Sequence, residues 1–377
     1  MPSSTFSSEI VEPVTQTAAR SSMAARAGIF TLLAGLAVSV VGLEVSSPRI
    51  LAHLSRTERR INGEMGAASR LRPITPDGRP TVLLAGNSLL IEGVKMDSLR
   101  VELGRQYEVS RLVVEQTHYL DWYFGLRRLL ESGSRPGVIV LSLATDQLAS
   151  RFTLGESFAY RQMSTRDFPR VVREAHLDRT TASTYLFAHW SNWQGDKGFI
   201  RQCVMILMIP NFRNLGGRIA DHGPHISDPA IILSKAQERL PKLAELSRNY
   251  GVRIVLLVPP TLHEDHSREV QQIGDAAGVP VWVLSPPGEF PREYFRDGFH
   301  LNSYGAAIYT SRLSQQLLAM PSTACKDCDR AAAHPRGRRS AAGELARPDW
   351  PKRGVPPYVS RPAQSRRESS HDEIGTR

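Results

Sequence analysis

Between Thr81 and Leu318 short apolar runs alternate with amphipathic stretches. The first run, Val82-Leu83-Leu84-Ala85, stops at Gly86-Asn87-Ser88. A helical pattern follows, with Leu90, Val94, Leu99 and Leu103 apolar and Glu92, Lys95, Asp97 and Arg100 between them. That order predicts a buried strand, a tight turn and one amphipathic helix. Tyr107 to Val114 predicts a second strand, and Tyr119 to Leu130 a helix with Leu120, Phe124, Leu126 and Leu130 on its apolar side. Arg135-Pro136-Gly137 punctuates the chain before a third strand, Val138 to Leu143. The rhythm resumes with a helix near Ile231 to Tyr250, in which Pro241 predicts a kink or an internal start. A strand Arg253 to Val258 ends at Pro259-Pro260, a helix near Asp265 to Ala277 ends at Gly278, and a strand Val279 to Leu284 follows. A last helix opens at Gly305 and runs towards Leu318. Five strands separated by helices predict an α/β domain over 81–320. It is a five-stranded parallel sheet with right-handed crossovers between two helical layers.

The flanks break this rhythm. Ala27 to Leu43, AGIFTLLAGLAVSVVGL, is uncharged and apolar on every face, which is unlike a buried soluble helix. It is short for a membrane span and long for a signal-peptide core. Its N-terminal position predicts a single transmembrane signal anchor with the large domain outside the cytoplasm. A cleaved signal is the alternative, although the small-x-small triplet Ala37-Val38-Ser39 lies inside the run. Arg49, Arg56, Arg59 and Arg60 outnumber Arg20 and Arg26, which opposes that orientation. Residues 1–26 read as a cytoplasmic or disordered segment. Residues 44–80 read as a juxtamembrane connector with a short helix near Ile50 to Ile61. Residues 150–230 are long for a connection and hold Tyr185, Phe187, Trp190 and Trp193, so an inserted lid is expected there. Residues 321–377, rich in Pro, Arg, Ser and Ala without apolar periodicity, read as a disordered basic tail.

Composition changes this picture little. Of the 377 residues 41% are hydrophobic, enough for a globular core. The net charge of +10 raises nucleic acid as a partner, but the tail, with 12 Lys and Arg against 7 Asp and Glu, carries half of it. No basic helix with interleaved aromatics and no zinc-finger spacing is present, so nucleic-acid binding is not expected. The three cysteines are not a disulfide framework. Cys203 lies in the apolar run to Ile209 and reads as a small buried hydrophobe. Cys325-Lys326-Asp327-Cys328 lacks both the strand–helix context of a redox motif and the second pair of a zinc site. It stands as a chance spacing in the tail or as a local disulfide.

The candidate chemistry sits at two ends of the domain. Ser88 lies where an open α/β sheet binds ligands, at the carboxyl end of a strand and the amino end of a helix. Strand, Gly, polar residue, helix is also common without any chemistry. Far along the chain, Asp297 and His300 share a short loop before the last helix. A serine hydroxyl needs a base to take its proton, and the base needs a third group to hold its tautomer. Gly86-Asn87-Ser88 and Asp297-Gly298-Phe299-His300-Leu301-Asn302 together resemble the SGNH (GDSL-type) hydrolase superfamily over roughly Thr81 to Leu318. That resemblance implies a flavodoxin-like α/β/α fold with sheet order 2-1-3-4-5, and a cofactor-free triad of Ser88 nucleophile, His300 base and Asp297 acid. It also implies an acyl-ester substrate.

Two middle blocks depart from the family. The glycine expected after the second strand is replaced by Glu115-Gln116-Thr117-His118. The asparagine expected after the third is replaced by Ala144-Thr145-Asp146-Gln147. The Ser88 amide, the Thr117 amide or hydroxyl, and the Thr145 or Gln147 side chain are the candidate oxyanion and substrate contacts in their place. Asp146 either caps the next segment or meets substrate. Asp221, His222 and His225, and the run His263-Glu264-Asp265-His266, have zinc-type donors but no placed third ligand, so no metal is expected. Trp190 and Trp193 either line a sugar cleft or pack a lid on the core. Two functions follow. One is a membrane-anchored extracytoplasmic serine esterase or O-acyltransferase acting on acyl esters of envelope polysaccharide. The other is a non-catalytic glycan-binding or assembly protein whose oxyanion hole has decayed.

Overall fold

The computed structural model describes residues 15–209 and 228–320. The Asp221, His222 and His225 group, the Cys325–Cys328 pair and the basic tail lie outside those residues. Five strands, β1 (Thr81–Gly86), β2 (Glu108–Val113), β3 (Val138–Ser142), β4 (Arg253–Val258) and β5 (Val281–Val283), form one sheet in the order β2-β1-β3-β4-β5. Every pair is parallel. β1 and β3 are buried along their whole length, because helices cover both faces of the sheet. Alternate residues feed two apolar clusters: Leu83, Ala85, Ile139 and Leu141 on one side, Val82, Leu84 and Val140 on the other.

The helices are α1 (Thr15–Leu54), α2 (Arg56–Ala68), α3 (Ser88–Gly93), α4 (Met96–Leu103), α5 (Tyr119–Glu131), α6 (Thr145–Ala149) and α7 (Glu156–Arg161). Then come α8 (Phe168–Glu174), α9 (Arg179–Trp190), α10 (Asn192–Met208), α11 (Pro229–Tyr250), α12 (Ser267–Ala277) and α13 (Ser303–Leu318). α5, α11 and α12 contribute Phe124, Leu240 and Val270 to the first cluster, while α4 and α13 contribute Leu99 and Leu313 to the second. The parallel α/β sheet between helical layers is the one expected from the apolar runs, and its strand order is the one that the resemblance implies.

Three local expectations differ from what forms. The stretch after Ser88 is two helices, because Val94 and Lys95 are extended and the Lys95 N–H donates to Thr310 Oγ1 on α13 (3.0 Å). No helix spans residues 50–61. Ser55 Oγ instead caps α2 by accepting from Glu58 N (3.1 Å), and Arg59 closes the end of α1 on the Ala52 and His53 carbonyls. Pro241 lies inside a continuous α11, whose Ala236, Leu240, Leu243 and Ala244 are buried, so packing overrides the missing N–H.

α1 is one helix, and Arg26–Leu54 within it is long and apolar enough to cross a membrane. It is also near the N-terminus, where a signal sequence has the same character. α2 closes the exposed edge of the sheet. Glu64 Oε2 accepts the Val113 N–H (2.8 Å) and Arg60 donates to the Val113 carbonyl (2.9 Å), so the edge strand keeps no open pair there.

Asp121, in the first turn of α5, is fully buried and accepts the His118 and Leu154 N–H groups, both at 2.8 Å. Burial pushes its carboxyl up to about 7, against the pull of those backbone hydrogen bonds. The unfolded chain therefore ionises first, and stability from this group falls as pH rises from about 4 to about 7. Asp121→Asn cannot ionise. Its unfolding free energy relative to the wild type is expected to improve by on the order of 4 kcal/mol between those pH values, measured by chemical denaturation at each.

Candidate active site

Ser88 is placed by what surrounds Gly86. A Cβ on Gly86 would meet the Ser142 carbonyl at 2.9 Å, so any side chain here would push β3 away from the end of β1. Asn87 follows in extended conformation and caps α3, its Oδ1 accepting the Leu89 N–H (3.1 Å). Ser88 is then the first helical residue. Its backbone N–H points out of the helix end with no hydrogen-bond acceptor among the described residues.

The opposing loop is as tightly specified. Phe295 and Leu301 bridge across it, and the Arg296 N–H donates to the His300 carbonyl (2.8 Å). Gly298 takes φ +89°, which lets the Phe299 and His300 N–H groups turn onto Asp297 Oδ1 at 3.0 and 2.7 Å. Asp297 Oδ2 meets His300 Nδ1 at 2.8 Å. Asn302 begins α13 by accepting the Tyr304 and Gly305 N–H groups, both at 3.0 Å. The loop delivers His300 Nε2 to 3.0 Å from Ser88 Oγ, across 212 residues of chain.

These contacts order the protons. Burial raises the Asp297 carboxyl, but the N–H donors of His300 and Phe299 outweigh it and hold it at about 2. A carboxylate at Nδ1 puts the imidazole proton there, so Nε2 accepts the Ser88 hydroxyl proton. With Ser88 Oγ donating to His300 Nε2 and His300 Nδ1 donating to Asp297 Oδ2, the relay has the direction that can activate a serine oxygen.

Behind Ser88, one side chain joins three loops. Asn87 Nδ2 donates to the Thr117 carbonyl (2.9 Å) and to Gln147 Oε1 (2.7 Å). Gln147 Oε1 also accepts the Ala144 N–H (3.1 Å), which fixes the amide's orientation and leaves its Nε2 hydrogens without an acceptor among the described residues. The Thr117 hydroxyl is buried and spent: it donates to the Val114 carbonyl (2.6 Å) and accepts from Trp122 Nε1 (2.9 Å). Only its amide remains for a substrate. Thr145 is buried beside the site and lines a cavity of about 140 Å³ walled by Leu89 and Phe299, the neighbours of Ser88 and His300. Asp146 caps locally, accepting the Gln147 N–H (2.8 Å).

Sequence reasoning missed three features here. Gln116 adopts φ +60°, a glycine-like conformation at the position where a glycine was looked for and not found. His118 Nδ1 is sealed from solvent without a hydrogen-bond partner among the described residues. Burial lowers this ring's pKa, while Asp146 pulls the other way. Asn87 makes three side-chain contacts, with Thr117, Gln147 and Leu89, that no local pattern in the sequence announces.

The other candidates fall elsewhere. Glu264, His266 and Glu269 bring one donor atom each within 4.8 Å of one another, but Glu264 Oε1 already accepts the Asp265 and His266 N–H groups. Trp190 is largely exposed and Trp193 is half-buried, and neither lines the cavity. Among the described residues, 150–209 form α7 to α10 and contribute nothing to that cavity. The remainder of the expected lid, up to 227, lies outside the described residues.

No protein-family model and no curated protein sequence matches the chain. Among solved structures it is similar to an acetylxylan esterase from Geobacillus stearothermophilus. The identity is 10%, the match covers 63% of this chain and 93% of that one, and the TM-score is 0.35. A likeness of that strength carries nothing about chemistry.

Asn87 faces two carbonyl-type acceptors, so a carboxylate in its place would repel both. Asn87→Asp is expected to cost about 1–3 kcal/mol, read as a lower midpoint in denaturant at pH 7. The deficit should narrow below about pH 4, where the new carboxyl takes a proton and can donate again.

Proposed function

We propose that the chain is an SGNH-type serine ester hydrolase or O-acyltransferase, with Ser88 as nucleophile, His300 as base and Asp297 as its orienting acid. The observation that carries this reading is the convergence of Ser88 Oγ and His300 Nε2 at 3.0 Å, with Asp297 at 2.8 Å on the other ring nitrogen. A helix-capping Asp and a core His would account for the loop by itself but not for its meeting a serine from the first strand.

In the proposed reaction Ser88 Oγ bonds to the ester carbonyl carbon while His300 takes the hydroxyl proton. The carbon–oxygen bond to the alcohol then breaks, and His300 returns the proton to the departing oxygen. Water, or an acceptor hydroxyl, attacks the acyl-enzyme by the same route in reverse. The Ser88 N–H, the backbone N–H groups of the 116–117 turn and the free Gln147 Nε2 hydrogens are the donors we assign to the oxyanion. Each is worth about 10²–10³ in rate where it is properly aimed. These unpaired donors favour an enzyme over a non-catalytic glycan-binding or assembly protein.

We further propose that α1 anchors the domain outside the cytoplasm and that the esters are those of envelope glycans. Three features support the anchor. The apolar helix is N-terminal, it is exposed along Ile29, Phe30 and Leu33, and it carries α10. Glu44 on α1 accepts from Ser191 Oγ (2.9 Å), Asn192 N (2.5 Å) and Trp193 N (3.2 Å), clamping the start of α10 to it. Leu207 and Met208, at the far end of α10, are also exposed.

A fluorophosphonate is expected to label Ser88 in the intact protein, located by mass spectrometry. Ser88→Ala and His300→Ala should each lower aryl-ester turnover by a similar factor of about 10⁴ or more, because triad members act as a unit. Equal turnover in the wild type and Ser88→Ala would support the non-catalytic reading. For topology, protease added to spheroplasts should digest the 81–320 region. Full protection there would place the domain on the other side.

A further inference from the structure

The cavity beside Ser88 has a chemistry of its own. Its apolar wall is Leu89, Ala144, Ile232, Pro259 and Pro260, all buried, with Leu262 and the partly exposed Phe299 ring, which lies against His300; Thr145, Thr261, His263 and His266 add polar groups to the lining. Its volume is about 140 Å³. A void of roughly that size holds a benzene-sized guest. An acetyl methyl would leave most of it empty, and its buried carbon wall offers a sugar's hydroxyls no partners on that side. The charged side chains that line it include Asp146, Glu264 and Asp265, and neither lysine nor arginine is among them.

We infer that this cavity is the acyl pocket and that it selects neutral aliphatic acyl groups of about four to six carbons. The inference rests on the proposed ester chemistry and adds the substrate class to it. A sugar or other polar alcohol then lies on the open side, where solvent reaches it. The acidic rim disfavours dicarboxylic acyl groups such as succinyl, and it repels the carboxylate product once hydrolysis has released it. Ile232 and Leu262 act here as specificity residues.

The test uses the full-length protein in detergent with 4-nitrophenyl acetate, butyrate, hexanoate, decanoate and monosuccinate. Expected is a rise in kcat/KM of about fourfold per methylene from acetate towards butyrate or hexanoate, a fall by decanoate, and poor use of the succinate. Ile232→Phe and, separately, Leu262→Phe should each lower the butyrate-to-acetate ratio about tenfold. That ratio is independent of how much of either variant folds. A profile that is flat, or that declines from acetate, would overturn the acyl pocket while leaving the serine chemistry standing. A chain-length preference kept unchanged in both variants would overturn the assignment to this cavity. Hydrolysis of none of the esters, together with no fluorophosphonate on Ser88, would overturn the proposed function and the pocket with it.

Discussion

The carboxyl edge of the sheet depends on one buried amide. Asn87 is almost wholly removed from solvent, and its side chain meets the loop after β2, Gln147 on α6 and the first turn of α3 at once. A buried amide left unpaired costs on the order of 1–3 kcal/mol, so these partners must stay in register. Two of them are acceptors, and only an N–H₂ group can serve both. An aspartate, usual at this place in the family that the motifs resemble, would face two oxygens with no proton to offer. Asn87, Gln147 and the 116–117 turn therefore form one arrangement: Asn87 donates to Gln147 Oε1 and to the Thr117 carbonyl, and Gln116 beside it holds a left-handed conformation.

This account explains what could be read from the sequence. The central strands could be read because β1 and β3 are apolar runs buried on both faces and ended by Gly or a polar turn, whereas the edge strand β2 mixes Glu108, Ser110 and Arg111 with apolar residues. Their order followed from crossover rules and the family resemblance. Ser88, Asp297 and His300 could be named because triad chemistry restricts residue types. The elements that escaped are fixed by partners distant in sequence. The break at Val94 and Lys95 answers to Thr310 on the last helix. The Asn87 network answers to a register between three strands that no local pattern encodes. Residues 150–209 broke the rhythm visibly, yet their place beside α1 depends on Glu44, more than a hundred residues upstream.

Two aspartates show how position, not residue type, sets ionisation. Asp121 and Asp297 both accept two backbone N–H groups. Asp121 has no nearby cation and no solvent, and its carboxyl is pushed up to about 7. Asp297 stays partly exposed and adds the His300 ring as a further donor, and it is held at about 2. In the proposed chemistry the orienting acid has to remain charged while its histidine shuttles a proton. Partial exposure of Asp297 keeps desolvation from undoing its hydrogen bonds.

The same contacts tie the site to α1. Glu44 holds the start of α10, and Asp196 on α10 pairs with Arg161 at 2.6 Å. Arg161 pairs in turn with Glu58 on α2, again at 2.6 Å. α2 then reaches the sheet edge, where Arg60 pairs with Glu115 at 2.5 Å, immediately before the Gln116 turn. Most of these charges are partly or fully buried, so removing any one would leave its partner uncompensated in a poor solvent for ions. If α1 lies in a bilayer, the 116–117 turn is tied to it by the Glu44 hydrogen bonds and then by ion pairs at either end of the link through α2. A flexible tether would let the domain tumble over its substrate. On the proposed reading this arrangement instead holds the mouth of the site at one angle and distance from the membrane, which suits an ester presented from a fixed direction.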